Sequence, residues 1–398
     1  MEILRNLWRR KLRSTLTITG IVMGIFALTT MGAMAEHFDA LLAGGITYYG
    51  SGIQVADENA PSGSIGGGYM ALSAVAQIQA VPGVAAVFPS VMELAKPGAI
   101  SIVNMGAPDY IANYTPGSNQ YSGFKISLAH GTWITNASRG DVDLGSSFAA
   151  EFHMKVGDTI DLPVRPSDAK PDFVNHAFTV AGILHQTLTA PDSGAFVSTH
   201  DAQMLQGDGL PSALKGTVDP YQLVSGAVVY GKPGVNLDAL ANRITAQVPT
   251  VQATKPSTLV NAFKAGGDVF TVMTTATALL ALIIGGLSVV NTMIMSVSER
   301  VREIGLKKAI GARTHNILTE FLAEASLMGL IGGAVGYLLG VVLTTMLNGS
   351  NSSQALFLIT PGLTAIALGF AVAMGAVAGL LPAIRAARMD PVTALRAQ

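Results

Sequence analysis

Apolar residues run without a single Asp, Glu, Lys or Arg over Ser14 to Ala35, Val269 to Ser298 and Ala325 to Ile384. A hydrocarbon core of about 30 Å takes roughly 20 such residues as one helix. The third run is far too long for one crossing, and Asn348 to Gln354 and Pro361-Gly362 interrupt it, so it reads as two helices. The pattern therefore predicts an α-helical membrane protein with four transmembrane helices, at 14–35, 269–297, 317–347 and 362–382.

Residues 36–268 have a different texture. Short apolar runs at Ala85 to Phe88, Ile100 to Val103, Phe178 to Leu184 and Leu223 to Tyr230 are bounded by Gly, Pro and Asp, as strands are. Ala71 to Ala80 and Leu237 to Val248 repeat their apolar positions with helical spacing. Ser146 to Phe152 reads as a short helix followed by a Lys155 to Thr159 turn, with Gly157-Asp158 supplying the turn chemistry. The segment Ala60 to Gly68 reads as a flexible Gly/Ser loop. The fold expected is a large α+β extracytoplasmic domain inserted between helices 1 and 2. An outer subdomain at about 115–215 is set into a strand–helix–strand subdomain made of 52–108 and 221–254.

Charge fixes the expected orientation. Only 12% of residues are charged, against about 25% in soluble domains. Thirteen of the 24 basic residues lie in the N-terminal segment 1–13, the loop 298–316 and the tail 383–398, and lysine and arginine stay on the cytoplasmic side. Segment 36–268 carries a net charge of −8. Both termini and the 298–316 loop are thus expected inside, and 36–268 and the 348–361 loop outside, in a multi-pass protein of the cytoplasmic (inner) membrane. Ala33-Met34-Ala35 imitates a signal-peptidase site, but the preceding apolar stretch is longer than a signal peptide's, so a retained anchor is expected.

Several chemistries are excluded. There is no cysteine, hence no thiolate metal site, iron–sulfur cluster or cysteine nucleophile. Gly226 to Lys232 approaches a P-loop, yet Pro233 stands where the magnesium-binding Ser or Thr belongs. The seven histidines show no metal spacing, and a net charge of −1 gives no case for nucleic acid. No catalytic residue, metal site or bound cofactor is assigned to this chain, and its substrate-binding residues are unknown.

The helical glycines Gly332, Gly336 and Gly340, and Gly375 and Gly379, are spaced for close helix packing. Gly20 and Gly24 have the same spacing, with a dimer contact as a second use. Asn291 is expected to hydrogen-bond between helices, and Glu320 and Glu324 to snorkel to the headgroups.

The stretch Glu299 to Ala312, ERVREIGLKKAIGA, closely resembles the cytoplasmic loop of ABC-transporter permeases of the MacB/LolC/FtsX family. Leu4 to Ile25, Val142 to Ile160 and Leu381 to Gln398 resemble further motifs of that family, in the same order. The likeness is to a MacB-like permease without a fused ATPase domain. It implies that Glu299, Arg300, Arg302, Glu303, Gly305, Lys307, Lys308, Gly311 and Ala312 couple to an ATPase. Lys307-Lys308 departs mildly from the family's apolar residue followed by Arg. The implied assembly is a permease dimer, of two copies or of one with a homologue, bearing two ABC ATPase subunits that hold ATP and Mg. A periplasmic or extracellular adaptor is an additional implied partner. The expected function is mechanotransmission: ATP-driven motion reaches the outer domain and exports or extracts a hydrophobic or amphipathic substrate. The alternative is FtsX-like signalling to a cell-wall hydrolase, although 233 residues is large for that branch's outer domain.

Overall fold

The computed structural model describes residues 11–60, 68–96, 109–115, 117–166, 169, 173–211, 213–350, 356–390, 392 and 394. The strand expected at Ile100 to Val103, most of the Gly/Ser loop, the start of the Leu4 to Ile25 motif and the end of the tail with Arg396 lie outside the described residues. The chain forms two compact units. One comprises residues 39–267, the other the preceding residues together with 268–350 and 355–398.

The 39–267 unit begins in the last turns of helix α1, Lys11–Gly50. Strand β1, Ile53–Asp57, is followed by β2, Met70–Ala71, helix α2, Leu72–Gln79, and strands β3, Val84–Ser90, β4, Met92–Leu94, and β5, Tyr110–Asn113. Next come β6, Leu128–Gly131, β7, Asp141–Leu144, α3, Ser146–Glu151, β8, Thr159–Leu162, β9, His176–Leu184, β10, Gly194–Val197, and α4, Thr199–Gly209. The unit closes with β11, Leu223–Val224, β12, Gly226–Gly231, α5, Leu237–Gln247, and β13, Val251–Thr254.

Four of these strands pair in the order β13-β1-β12-β3, every neighbour antiparallel. With α2 and α5 as the connections, this is a split βαβ arrangement of the ferredoxin-like kind. One face is apolar by alternation: Ile53 and Val55 of β1 point inward, two residues apart, and register with Val229 and Ala227. Ala74 and Ile78 of α2 and Leu240 and Ile244 of α5, each pair one helical turn apart, belong to the same core. Asn236 caps α5, its Oδ1 accepting from the Ala239 N–H at 3.0 Å. The P-loop imitation at 226–231 is β12, an antiparallel strand with no phosphate-binding turn.

The second sheet is mixed, in the order β4-β5-β10-β7-β9-β6 with β8 on the side of β9. Phe148 of α3 is fully buried in its core. The turn before β8 forms at the expected place: the Asp158 N–H donates to the Lys155 carbonyl, and Gly157 takes φ +95°. That left-handed backbone favours glycine.

Glu93 of β4 gives this unit a pH dependence. Its Oε1 is buried without a hydrogen-bond partner, and burial pushes the carboxyl from an ordinary 4.5 up to about 8. The folded chain holds the proton more tightly than the unfolded one, so this site's contribution to stability falls as pH rises from about 4.5 through about 8. Glu93→Gln is expected to raise the unfolding midpoint more at pH 8.5 than at pH 5, measured by thermal scans of the two proteins side by side.

The helical unit contains α1 up to Phe38, helix α6, Pro256–Glu299, from Asp268 onward, and three further helices. These are α7, Val301–Ala309, α8, Thr314–Ser350, and α9, Pro361–Ala387. Four of the described helices, all but α7 in this unit, are long and apolar enough to cross a membrane. Their core joins Ile21 and Ile25 of α1, Val289 and Met293 of α6, Phe321 and Met328 of α8, and Ala371 and Met374 of α9. Outward-facing Val272, Leu287 and Val377 are 68%, 64% and 71% exposed. An apolar surface of this extent is what lipid or another protein covers.

At about 1.5 Å per residue the 44 residues of α6 span about 66 Å, twice the thickness of a hydrocarbon core. Its companion α1 has 40 residues. Aromatic stacking joins α1 and α6 in each unit, Phe38 on Phe270 at 4.7 Å in the helical unit and Tyr49 on Phe263 at 5.5 Å in the other.

Candidate functional site

The charged run after α6 folds into α7, and one face of that helix is pinned to the bundle. Ile304, 3% exposed, belongs to the same buried cluster as Val297, Ile317, Phe321, Ala383 and Ala386, and Gly305 is buried beside it. Glu303 and Lys307 pair at 3.2 Å, as their acid-first i,i+4 spacing implies. The helix ends in a Schellman motif, with the Ala312 N–H donating to the Lys307 carbonyl and the Gly311 N–H to that of Lys308. Gly311 takes φ +98° with nothing within 4 Å of an added Cβ, so only the backbone conformation demands glycine there.

The turn at 310–313 lays α8 back against α7, and this changes the role of two carboxylates. Lys307 Nζ lies 2.8 Å from Glu320 Oε1 and 3.1 Å from Oε2. Arg300 Nη1 lies 3.2 Å from Glu324 Oε2, with the two side chains only 15% and 8% exposed. Glu320 and Glu324, expected to reach for the headgroups, here pair with Lys307 and Arg300 of the basic loop. For Glu324 the reason is mutual compensation, since a carboxylate buried beside a guanidinium avoids the cost of burial alone. Lys308 Nζ donates to the Met389 carbonyl at 2.8 Å, tying the loop to the segment after α9.

The residues expected to couple to an ATPase thus divide by position. Arg300, Lys307 and Lys308 are engaged within the chain, Gly305 is interior, and Gly311 and Ala312 shape the exit turn. Glu299, Arg302 and Glu303 are on the exposed side. Two residues that sequence reasoning passed over stand out there: Leu306, 56% exposed, and Ile310, 79% exposed. The available signal was two large apolar side chains four residues apart within an otherwise charged run.

The glycines lie at helix crossings. A Cβ on Gly332 would come 2.8 Å from Ile21 Cβ, on Gly336 2.6 Å from the Val22 carbonyl, and on Gly340 2.8 Å from Thr29 Cβ, so one stripe of α8 rides on α1. Gly375 and Gly379 of α9 face Ala325 of α8. Gly20 and Gly24 face Ser288 and Ala281 of α6, so the side suggested for a dimer contact is occupied within the chain. Asn291, expected between helices, is exposed on α6.

Comparison with known proteins gives two family matches. A model described as a MacB-like periplasmic core domain matches residues 14–247, and one described as an FtsX-like permease C-terminal region matches residues 275–391. Among curated relatives, the pyoverdine export ATP-binding/permease protein PvdT of Pseudomonas syringae pv. tomato is 27% identical over 99% of this chain and 58% of its own length. The proteins of the same name from Pseudomonas fluorescens and Pseudomonas aeruginosa are 28% and 27% identical, with 99% of this chain and 58% of each relative covered. The chain therefore spans less than two thirds of these relatives. A crystal structure of the periplasmic region of MacB from Actinobacillus actinomycetemcomitans aligns over 54% of this chain and 92% of its own, at 12% identity and a TM-score of 0.34.

Proposed function

Because the chain belongs to the family of ABC-transporter permeases that join a MacB-like periplasmic core domain to an FtsX-like permease region, we propose that it relays ATP-driven motion of a partner ATPase to its own periplasmic domain. The ATPase sits on the cytoplasmic face of the 299–313 loop, in two copies on a permease dimer, and holds the ATP and Mg. This chain carries the motion and does not hydrolyse the nucleotide. The names of the PvdT relatives join an ATP-binding part to a permease part, which favours such a partner. Pyoverdine, the molecule in those names, is the first cargo to test.

One observation carries this reading. The α7 helix is latched to the bundle by Ile304, Arg300–Glu324 and Lys307–Glu320 while offering Leu306 and Ile310 to the outside. A push on that face cannot be absorbed by a floppy loop; it passes to α6 and α8. The MacB-like match over 14–247 favours export over control of a cell-wall hydrolase.

Orientation is testable at once, since the chain has no cysteine to confuse labelling. A cysteine at exposed Lys215 is expected to react with an impermeant maleimide in intact spheroplasts, and one at exposed Thr314 only after lysis. Asp192 is a poor label site, being 5% exposed with its carboxylate accepting the Thr187 and Leu188 N–H groups. Labelling in the opposite order would reverse the topology and remove the ATPase from α7.

A further inference from the structure

We propose that an aromatic cleft inside the 39–267 unit binds the uncharged planar ring of a small amphipathic molecule. The cleft opens between the two sheets, with Phe88 and Tyr230 on the four-stranded side and Tyr110 and Phe196 on the other. It gathers Trp133, one of two tryptophans in the chain, with four of the nine tyrosines and three of the 14 phenylalanines. As a statement about cargo this rests on the permease reading; as a statement about binding it does not.

The rings are arranged for another ring. Tyr114 and Trp133 stack at 5.0 Å and 10°, while Phe88–Tyr230 and Tyr110–Phe196 meet edge to face at 74° and 88°. Mixed faces and edges complement the quadrupole of an inserted planar group. The volume is about 110 Å³, against roughly 150 Å³ for an apolar cavity known to take benzene. That limits an occupant to one ring at most, with the rest of the molecule outside through the open mouth.

Charge and hydrogen bonding narrow the class further. Among the described residues no charged side chain lines the cleft, so an ionised group there would lose its hydration without gaining a partner. Tyr110 is 4% exposed, and its phenol lines the cleft edge to face with Phe196. A neutral hydroxyl or amide on an inserted ring can hydrogen-bond to tyrosine hydroxyls of the lining. A saturated chain would fill the volume and leave the ring faces unused.

The test uses the full-length chain with Trp8→Phe, so that Trp133 alone fluoresces, and 4-nitrobenzyl alcohol as an uncharged planar quencher. Saturable quenching is expected, reversed by benzyl alcohol and at least fivefold less well by cyclohexylmethanol. Phe88→Ala is expected to weaken binding at least tenfold. Tyr110→Phe, which removes one oxygen and keeps the packing, is expected to weaken it several-fold even if the alanine variant misfolds. Quenching that stays linear and matches a Trp133→Phe protein, which retains Trp8, would overturn the proposal, as would equal competition by cyclohexylmethanol. Neither ATPase nor transport enters the assay, so its failure leaves the permease reading standing, and failure of ATPase docking leaves the cleft standing.

Discussion

Aspartate at both Leu306 and Ile310 is expected to cut capture of the ATPase subunit at least tenfold, which corresponds to about 1.4 kcal/mol of binding free energy. Both side chains stand outside the core, 56% and 79% exposed, on the outward face of α7. Changes at such positions alter the fold's own stability by about 0.5 kcal/mol or less. A large effect on association therefore reads the interface and not the fold. Apolar anchors inside a ring of charged residues are where interfaces concentrate their free energy, and Arg302, Glu303 and Arg313 supply that ring here. The check is co-purification with the ATPase and the ATP turnover of the complex. Assembly at the native level would leave this loop as a topological anchor alone.

The second large effect is expected at Arg300. Its guanidinium compensates Glu324 in a pair that is 15% and 8% exposed. Arg300→Leu leaves the carboxylate buried and alone, a change that typically costs about 3–5 kcal/mol. The expected result is a sharp fall in the unfolding temperature of the detergent-solubilised protein. Replacing both partners with apolar residues, Arg300→Met with Glu324→Leu, is expected to recover most of that loss, because the unpaired charge has gone. The double variant also separates stability from transmission, since it restores the fold without the ionic latch. If the single variant is as stable as the native chain, the pair is not what holds α7 to α8.

Much of this was readable from the sequence for identifiable reasons. The apolar helices announce themselves because a bilayer tolerates few charges, and the helices at 72–79 and 237–247 keep strict apolar spacing over one buried face. The turn at 155–158 is written in Gly157 and Asp158. By contrast, α1 continues to Gly50 and α6 begins at Pro256, through segments that include Glu36, Asp39, Lys264 and Asp268. Composition gives no reason for helix there; the stacking of Phe38 on Phe270 and Tyr49 on Phe263 does. The partners of Glu320 and Glu324 stand 13 and 24 residues away across a turn whose angle no local pattern specifies. Local spacing suggested exposure where tertiary pairing won. The aromatic cleft was illegible for the same reason, since Phe88 and Tyr230 meet only through strand order.

Motion started at α7 is expected to reach the 39–267 unit along α6. Two glycines inserted after Val269 would interrupt that helix where its side chains are exposed, because each glycine costs about 1 kcal/mol of helix stability and frees the backbone. Spin labels on a cysteine at Lys215 in both copies of the reconstituted complex report the distance between the two units by pulsed electron paramagnetic resonance. An ATP-dependent change in that distance is expected for the native-length chain, and no change in the insertion variant while ATP hydrolysis continues. The same ATP-dependent change in the insertion variant would contradict it.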